Sequence, residues 1–389
     1  MPSPSATPPV QFISQQRKLE SCIHTLASLP SFAFDLEFDR DRYSYGFTLC
    51  LIQLATPDHC FVIDPLENLD LEPLFLLFEN PAIQKLMHSG GEDLRLLHAL
   101  RCYPKNLFDT EIPMRLLNYE QTSLAASLSG ILGITLQKDQ QKSNWLKRPL
   151  TREQVAYAAN DVIYLHALQQ KLAADIDAKA LGWLLQSEEE ALSLADYTPE
   201  AKTWFLSKDD ERYLSPYDQY ILNALFTFRD QKAQALNRPA YQVMDESLLR
   251  GLASGKIPAE DAPQARGLHH RLRSSAFVKE VKQVLAAAAQ AAQAQNRSRE
   301  LQVRTPLSPE ARAARDKGER DKELLFAPIQ QELAQRFGTF AARYLLSNGA
   351  VSQIVTGRTR ISQLPQARQQ LFFDLARALG LDQALEVYQ

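Results

Sequence analysis

The chain has 389 residues, of which 45% are apolar and 23% charged, and its net charge is −3. This is the make-up of an ordinary globular protein of roughly two to three domains at about 100–200 residues each. No uninterrupted apolar run of about 18 residues occurs, which excludes a membrane-spanning helix of the usual kind.

The charge is unevenly spread. Between Arg266 and Arg368 there are 18 Lys and Arg against 8 Asp and Glu, so the remainder is acidic. An acidic front and a basic back suggest chemistry at one end and polyanion contact at the other, although a solvated helical surface would carry the same charge. The four cysteines, Cys22, Cys50, Cys60 and Cys102, form no CxxC pair, so zinc and redox motifs are not expected. A chain of this size needs no disulfide staples, which suggests a reducing cytosol and a cytoplasmic protein. The opening MPSPSATPPV is rich in Pro and Ser and lacks both a basic segment and an apolar one. Residues 1–14 are expected to be a disordered start and not a signal peptide.

In chain order, SFAFDLEF (31–38), FTLCLIQLAT (47–56) and CFVID (60–64) read as strands separated by turn residues such as Gly46, Pro57 and Asp58. Their short connections favour an antiparallel meander. LEPLFLLF reads as a helix, AIQKLMHS as a fourth strand, GEDLRLLHAL as the helix after it and NLFDT as a short fifth strand. Helices dominate from Pro113 onward. The pattern predicts a mixed α/β sheet flanked by helices. A second, all-helical region begins near Tyr197, and one of its helices starts with Ser215 as cap and Pro216 in the first turn. The Ala/Gln-rich AAAAQAAQAQNRSRE extends a helix as a spacer. RTPLSPEARAARDKGERDK reads as a linker, and 323–389 as a further helical segment.

The chemistry sits in the acids. Asp35 and Glu37, two apart on a strand, point to one face. Two such carboxylates repel and raise each other's pKa unless a cation lies between them. An edge strand with a wet face would also tolerate them. Asp93 falls in the first turn of the helix after the fourth strand, where an acid also complements the helix dipole. Asp109 ends a strand and is expected to be structural, capping the next helix. Thr151 and Gln154 form a capping-box pattern, and on the helix they open, Tyr157 and Asp161 share a face. Hard oxygen ligands select Mg²⁺ or Mn²⁺ over zinc. Two such ions suit in-line displacement at phosphorus, and no Gly-rich phosphate loop points to a nucleoside triphosphate. Phosphodiester hydrolysis is the natural use.

The order D-x-E, then Asp at a strand–helix junction, then Y-x-x-x-D resembles the DEDDy 3′-to-5′ exonucleases. DLEFDRDRYSYGFTLCLIQLAT, HSGGEDLRLL, FDT and NWLKRPLTREQVAYAANDVIYL resemble ribonuclease D over about residues 15–175. Residues 213–288 resemble an HRDC domain, the helical nucleic-acid-binding module of that family, through LFTFRDQKAQALNRPAYQVMDESLLRGLA; 323–380 resemble a degenerate second copy. Two positions depart from the pattern: Leu36 stands where Thr is common, and Asn144 in KSNW where an acid is common. Neither is an expected metal ligand.

The resemblance implies an RNase-H-like exonuclease domain over 15–195, an HRDC domain over 205–290, a linker over 291–322 and a second HRDC-like domain over 323–389. It implies a site of Asp35, Glu37, Asp93, Tyr157 and Asp161 holding two divalent ions, Mg²⁺ or Mn²⁺. Asp35 would bridge both ions, Glu37 and Asp161 would complete the first, Asp93 would support the second, and Tyr157 would orient the attacking water. The implied activity is 3′-to-5′ trimming of RNA with release of nucleoside 5′-monophosphates. Precursor tRNA and other structured RNA are the expected partners, the protein acting as a monomer. Arg266, Arg271, Arg273, Lys279 and Lys282 are placed to touch phosphates. His269 and His270 are assigned no chemistry. A DNA 3′-exonuclease and a catalytically idle RNA-binding scaffold are the alternative readings.

Overall fold

The computed structural model describes residues 8–136, 143–301 and 307–389. Residues 1–7, Lys142 of the KSNW stretch and residues 302–306 of the expected linker lie outside the described residues.

Strands β1 (Val10–Ile13), β2 (Ser31–Arg40), β3 (Phe47–Ala55), β4 (Cys60–Ile63), β5 (Gln84–Met87) and β6 (Leu107–Asp109) form one mixed sheet in the order β1-β4-β3-β2-β5-β6. β3 and β4 are antiparallel, whereas β1 pairs with β4, β2 with β5, and β5 with β6 in parallel. The five strands read from the sequence are therefore present. β1 is a correction to the disordered start expected over 1–14. Val10–Ile13 runs beside Cys60–Ile63 and buries Ile13, so its structure comes from a distant partner and not from local composition.

On β2 the side chains alternate as the strand geometry requires. Phe32 and Phe34 meet Phe78 edge to face at 5.4 and 5.0 Å. Phe78 belongs to helix α2 (Glu72–Glu79), which with α1 (Gln16–Ala27) covers that side of the sheet. Ala33 faces the opposite core, together with Leu51, Ala55, Val62, Leu86 and the inner face of the Arg152–Ile163 helix. That helix opens on the expected capping box, with Gln154 N–H donating to Thr151 Oγ1 at 3.2 Å and Thr151 N–H to Gln154 Oε1 at 3.0 Å.

The chain divides into two compact units, one of residues 1–37, 49–199 and 307–389, the other of 38–48 and 200–306. In the first, the C-terminal segment shares the sheet domain's core: Phe326, Leu333, Leu345 and Phe372 belong to the same buried cluster as Ala33 and Val162. Asn118 Oδ1 accepts from Phe340 N–H (2.8 Å) and Ala341 N–H (3.1 Å), capping the Thr339–Leu345 helix. Gly338, at φ +92°, must be glycine here, since a Cβ would lie 2.2 Å from the Asn118 amide. The segment expected as a linker contains a helix, Pro309–Asp321, started by Ser308, whose Oγ accepts from Ala311 N–H at 3.2 Å. This is a second correction: Ala, Arg, Glu and Lys favour helix despite their polarity.

The second unit is helical, apart from the tip of the β2–β3 hairpin. Its long helices are Pro216–Leu236, with the predicted Ser215 cap, and Ser275–Ala294, which absorbs the Ala/Gln-rich run. Asp210, 6% exposed, receives the Arg250 guanidinium. The hairpin tip is tied to this unit by Tyr45 Oη donating to Asp230 Oδ2 at 2.8 Å and by Tyr241 Oη donating to the Arg42 carbonyl at 3.2 Å. Among the described residues no helix is long and apolar enough to cross a membrane. All four cysteines are buried, and none is in a disulfide.

Candidate metal centre

Three elements deliver the acids. β2 presents Asp35 and Glu37 on the face opposite its phenylalanines, and the Arg152–Ile163 helix crosses that face with Asp161. One ligand oxygen from each of Asp35, Glu37 and Asp161 lies within 4.8 Å of the others. Helix α3 (Gly91–Ala99) brings Asp93, 8% exposed, in its first turn. The Leu36 backbone N–H acts on the carboxyls of both Asp35 and Asp93, so α3 sits against the acid strand.

The electrostatics follow from crowding. Burial and then the charge of Asp161 push Asp35 well above the carboxylate range. Burial, then Asp35, Asp161 and Asp93, push Glu37 up to about 10. Burial and Asp93 push Asp161 to about 7, and burial and Asp35 raise Asp93. The charges acting on these four groups, among the described residues, are other carboxylates; none is a lysine or arginine. Four crowded acids, Asp93 buried and the other three partly so, suit hard divalent cations, whose charge reverses each of these shifts.

Tyr157 stands one turn before Asp161. Its phenol is raised by burial, then by Asp161, Glu37 and Asp35, so it stays protonated at neutral pH. Its ring lies 6.2 Å from that of Trp145, which is 4% exposed. Asp35, Glu37 and Asp161 thus cluster, and Asp93 and Tyr157 lie close enough to interact electrostatically with them.

Asp109 serves the site from behind. Its Oδ1 accepts from Ser89 N–H (2.7 Å) and Glu111 N–H (2.9 Å), and its Oδ2 from Gly90 N–H (3.2 Å). It therefore braces the start of α4 (Glu111–Leu116), although the N-cap position there is Thr110 and not Asp109 as expected, and it fixes the turn that launches α3 and Asp93. A Cβ at Gly90 would lie 2.7 Å from Met87 Sδ, so a side chain there would have to displace that of Met87.

Two supporting residues were not read from the sequence. Arg148 donates to Asp64 at the end of β4, to the Cys50 carbonyl (2.8 Å) and to the Trp145 carbonyl (2.6 Å). It anchors the segment leading into the Tyr157–Asp161 helix onto the sheet. Its one sequence signal was the RPLT stretch itself. The other residue is Gln53, a lone amide within an apolar strand.

Comparison with known proteins now adds to the geometry. A 3′-5′ exonuclease family model matches residues 10–177. A ribonuclease D of Nitrobacter hamburgensis is 30% identical over 250 residues, which are 63% of this chain and 64% of that protein. A ribonuclease D of Acidiphilium cryptum is 32% identical over 279 residues, 69% of each chain. This chain belongs to the ribonuclease D family. The chain spans less than two thirds of the length of the Nitrobacter relative. The crystal structure of Escherichia coli RNase D superposes with a TM-score of 0.68 at 24% identity, over 95% of this chain and 99% of that one. The shared fold is a mixed sheet flanked by helices, as in an RNase-H-like exonuclease domain, followed by helical segments.

Proposed function

We propose that this protein is a divalent-cation-dependent exoribonuclease that trims RNA from a free 3′ end and releases nucleoside 5′-monophosphates. The observation that carries the reading is the convergence of Asp35, Glu37 and Asp161 within 4.8 Å, with Asp93 and Tyr157 acting on the same charges. Family membership and the matched exonuclease model support the reaction class.

In this reading Asp35 would help hold both of two Mg²⁺ or Mn²⁺ ions, Glu37 and Asp161 would help hold one, and Asp93 would support the other. Bound there, the ions would supply charge to the attacking and leaving oxygens of an in-line displacement. The rest is done by the chain. Its four carboxylates fix where the ions sit relative to β2. Tyr157, held as a neutral phenol, directs a hydrogen bond at the attacking water and does not act as a base. The buried Trp145 backs its ring and limits where the hydroxyl points.

Precursor tRNA and other structured RNA are the substrate class in this reading; the E. coli RNase D is an exoribonuclease involved in structured RNA processing. The helical unit would hold the RNA body through Arg266, Arg271, Arg273 and Lys279, all of which reach solvent. Lys282 is paired with Glu260 and contributes less. The protein would act as a cytoplasmic monomer.

The test is a 5′-labelled RNA with a single-stranded 3′-OH tail, beside DNA of the same sequence, incubated with Mg²⁺, Mn²⁺ or EDTA. A cation-dependent ladder shortening from the RNA 3′ end is expected. Asp35→Asn should lose more than the roughly 10–100-fold typical of residues outside the ligand set. Faster shortening of DNA would replace the substrate assignment, and binding without shortening would leave an RNA-holding scaffold.

A further inference from the structure

Gln53 sits in the middle of β3 with 0% exposure. Among the described residues neither its Nε2 nor its Oε1 has a hydrogen-bond partner. A buried amide unpaired at both ends is unfavourable, and in a native protein such a group needs an explanation.

Its place in the fold supplies one. β3 lies between β4 and β2, and Gln53 is in register with Val62 of β4. Leu51, Ala55 and Val62 share a core with Ala33 of β2 and with Ala158, Ala159 and Val162 of the Arg152–Ile163 helix. Strand alternation puts Gln53 on that same face, which on β2 is the face of Asp35 and Glu37. The helix packs on β4 and also delivers Asp161 to the β2 acids, and β3 lies between those two strands. The amide is therefore buried on the sheet face covered by the helix that carries Tyr157 and Asp161, one strand away from the acid pair.

We propose that Gln53 is a positioning residue of the acid cluster, its amide nitrogen donating to the cluster's carboxylates when cations are bound and so holding their orientation. The inference rests on the two-ion reading above. The residue type fits the task. A lysine here would compete with the ions for the carboxylates, and an acid would add a further negative charge. A glutamine orients an anion without changing the charge of the site.

Gln53→Met keeps the length of the side chain and removes the donor; Gln53→Leu is a second apolar replacement should Met not fold. Wild type and variant are melted in EDTA and then with increasing Mn²⁺, without RNA. The variant should melt in EDTA at or above the wild-type temperature, because it no longer buries an unpaired amide. It should need about tenfold more Mn²⁺ for half-maximal stabilisation, the scale on which residues supporting metal ligands act. An unchanged Mn²⁺ requirement, whatever the melting temperature in EDTA, overturns the positioning role and leaves the ion site standing. Wild-type protein that gains nothing from Mn²⁺ or Mg²⁺ overturns both together.

Discussion

Arg368 grips Glu188 through two hydrogen bonds of 2.6 Å, from Nε to Oε1 and from a terminal nitrogen to Oε2. Tyr344 Oη donates to the same Oε2 at 2.8 Å, and the Arg368 guanidinium lies 4.5 Å from the Tyr344 ring centre. Glu188 is 5% exposed and comes from the sheet domain; its two partners come from the C-terminal segment. Removing one partner of a buried ion pair strands the other, which typically costs about 3–5 kcal/mol. Arg368→Leu should therefore lower unfolding stability by about that amount, read by urea titration, and should expose 307–389 to limited proteolysis. A change within the range of surface substitutions would show that the pair is not what closes this unit.

The acid cluster makes stability depend on pH. Asp161 and Glu37 are raised from 3.8 and 4.5 to about 7 and about 10. A carboxyl that holds its proton more tightly when folded stabilises fully below its unfolded pKa, and that contribution is lost as pH rises through the folded value. In EDTA the melting temperature should therefore fall as pH climbs from about 5 towards 9, and Asp35→Asn should flatten the slope. Because ligands bind ions only when deprotonated, the gain on adding Mn²⁺ should be larger near pH 8 than near pH 6. Calorimetric scans across the series check both signs.

Asp109→Ala leaves the amides of Ser89, Gly90 and Glu111 without their acceptor. The buried Gly90 donor left orphaned costs about 1–3 kcal/mol, and the more exposed Ser89 and Glu111 amides cost less. Chain stability should drop, and RNA trimming should fall further than stability explains, since α3 and Asp93 lose their anchor. Trimming rates measured well below the variant's own melting transition separate the two effects.

The helical unit carries a separate expectation. Replacing Arg266, Arg271 and Lys279 with Ala should weaken RNA binding across sequences. The slope of log affinity against log salt should become shallower by about one for each phosphate interaction removed. Filter binding at several salt concentrations reads this directly, and an unchanged slope would remove these residues from the interface.

Much of this architecture was legible because it is local. The alternation of β2, the Thr151–Gln154 box and the Ser215–Pro216 start each contain their own signal within a few residues. Four of the five residues proposed for the site were legible for a related reason: i, i+2 on a strand and i, i+4 on a helix fix a shared face before any tertiary contact forms, whereas Asp93 was read from its place in the first turn after a strand. β1 was not, since four residues after a pair of prolines become a strand only beside Cys60–Ile63. The Pro309–Asp321 helix did carry a signal, the same Ser-Pro start seen at 215, but its charge made it read as a connection. Gln53 lay in plain view within LIQLA; only burial shows that its amide has no partner.

The unit that holds the acids is closed by residues far apart in the chain, with Ala33 and Leu385 in a single buried cluster. A ribosome makes these residues more than three hundred positions apart, with the whole second unit emerging between them. The sheet must wait through that interval with one side of its core open to solvent, while the intervening helices can already fold as a unit. Closure of the catalytic half therefore comes late in synthesis, and a product terminated within the second unit would lack the layer that seals it.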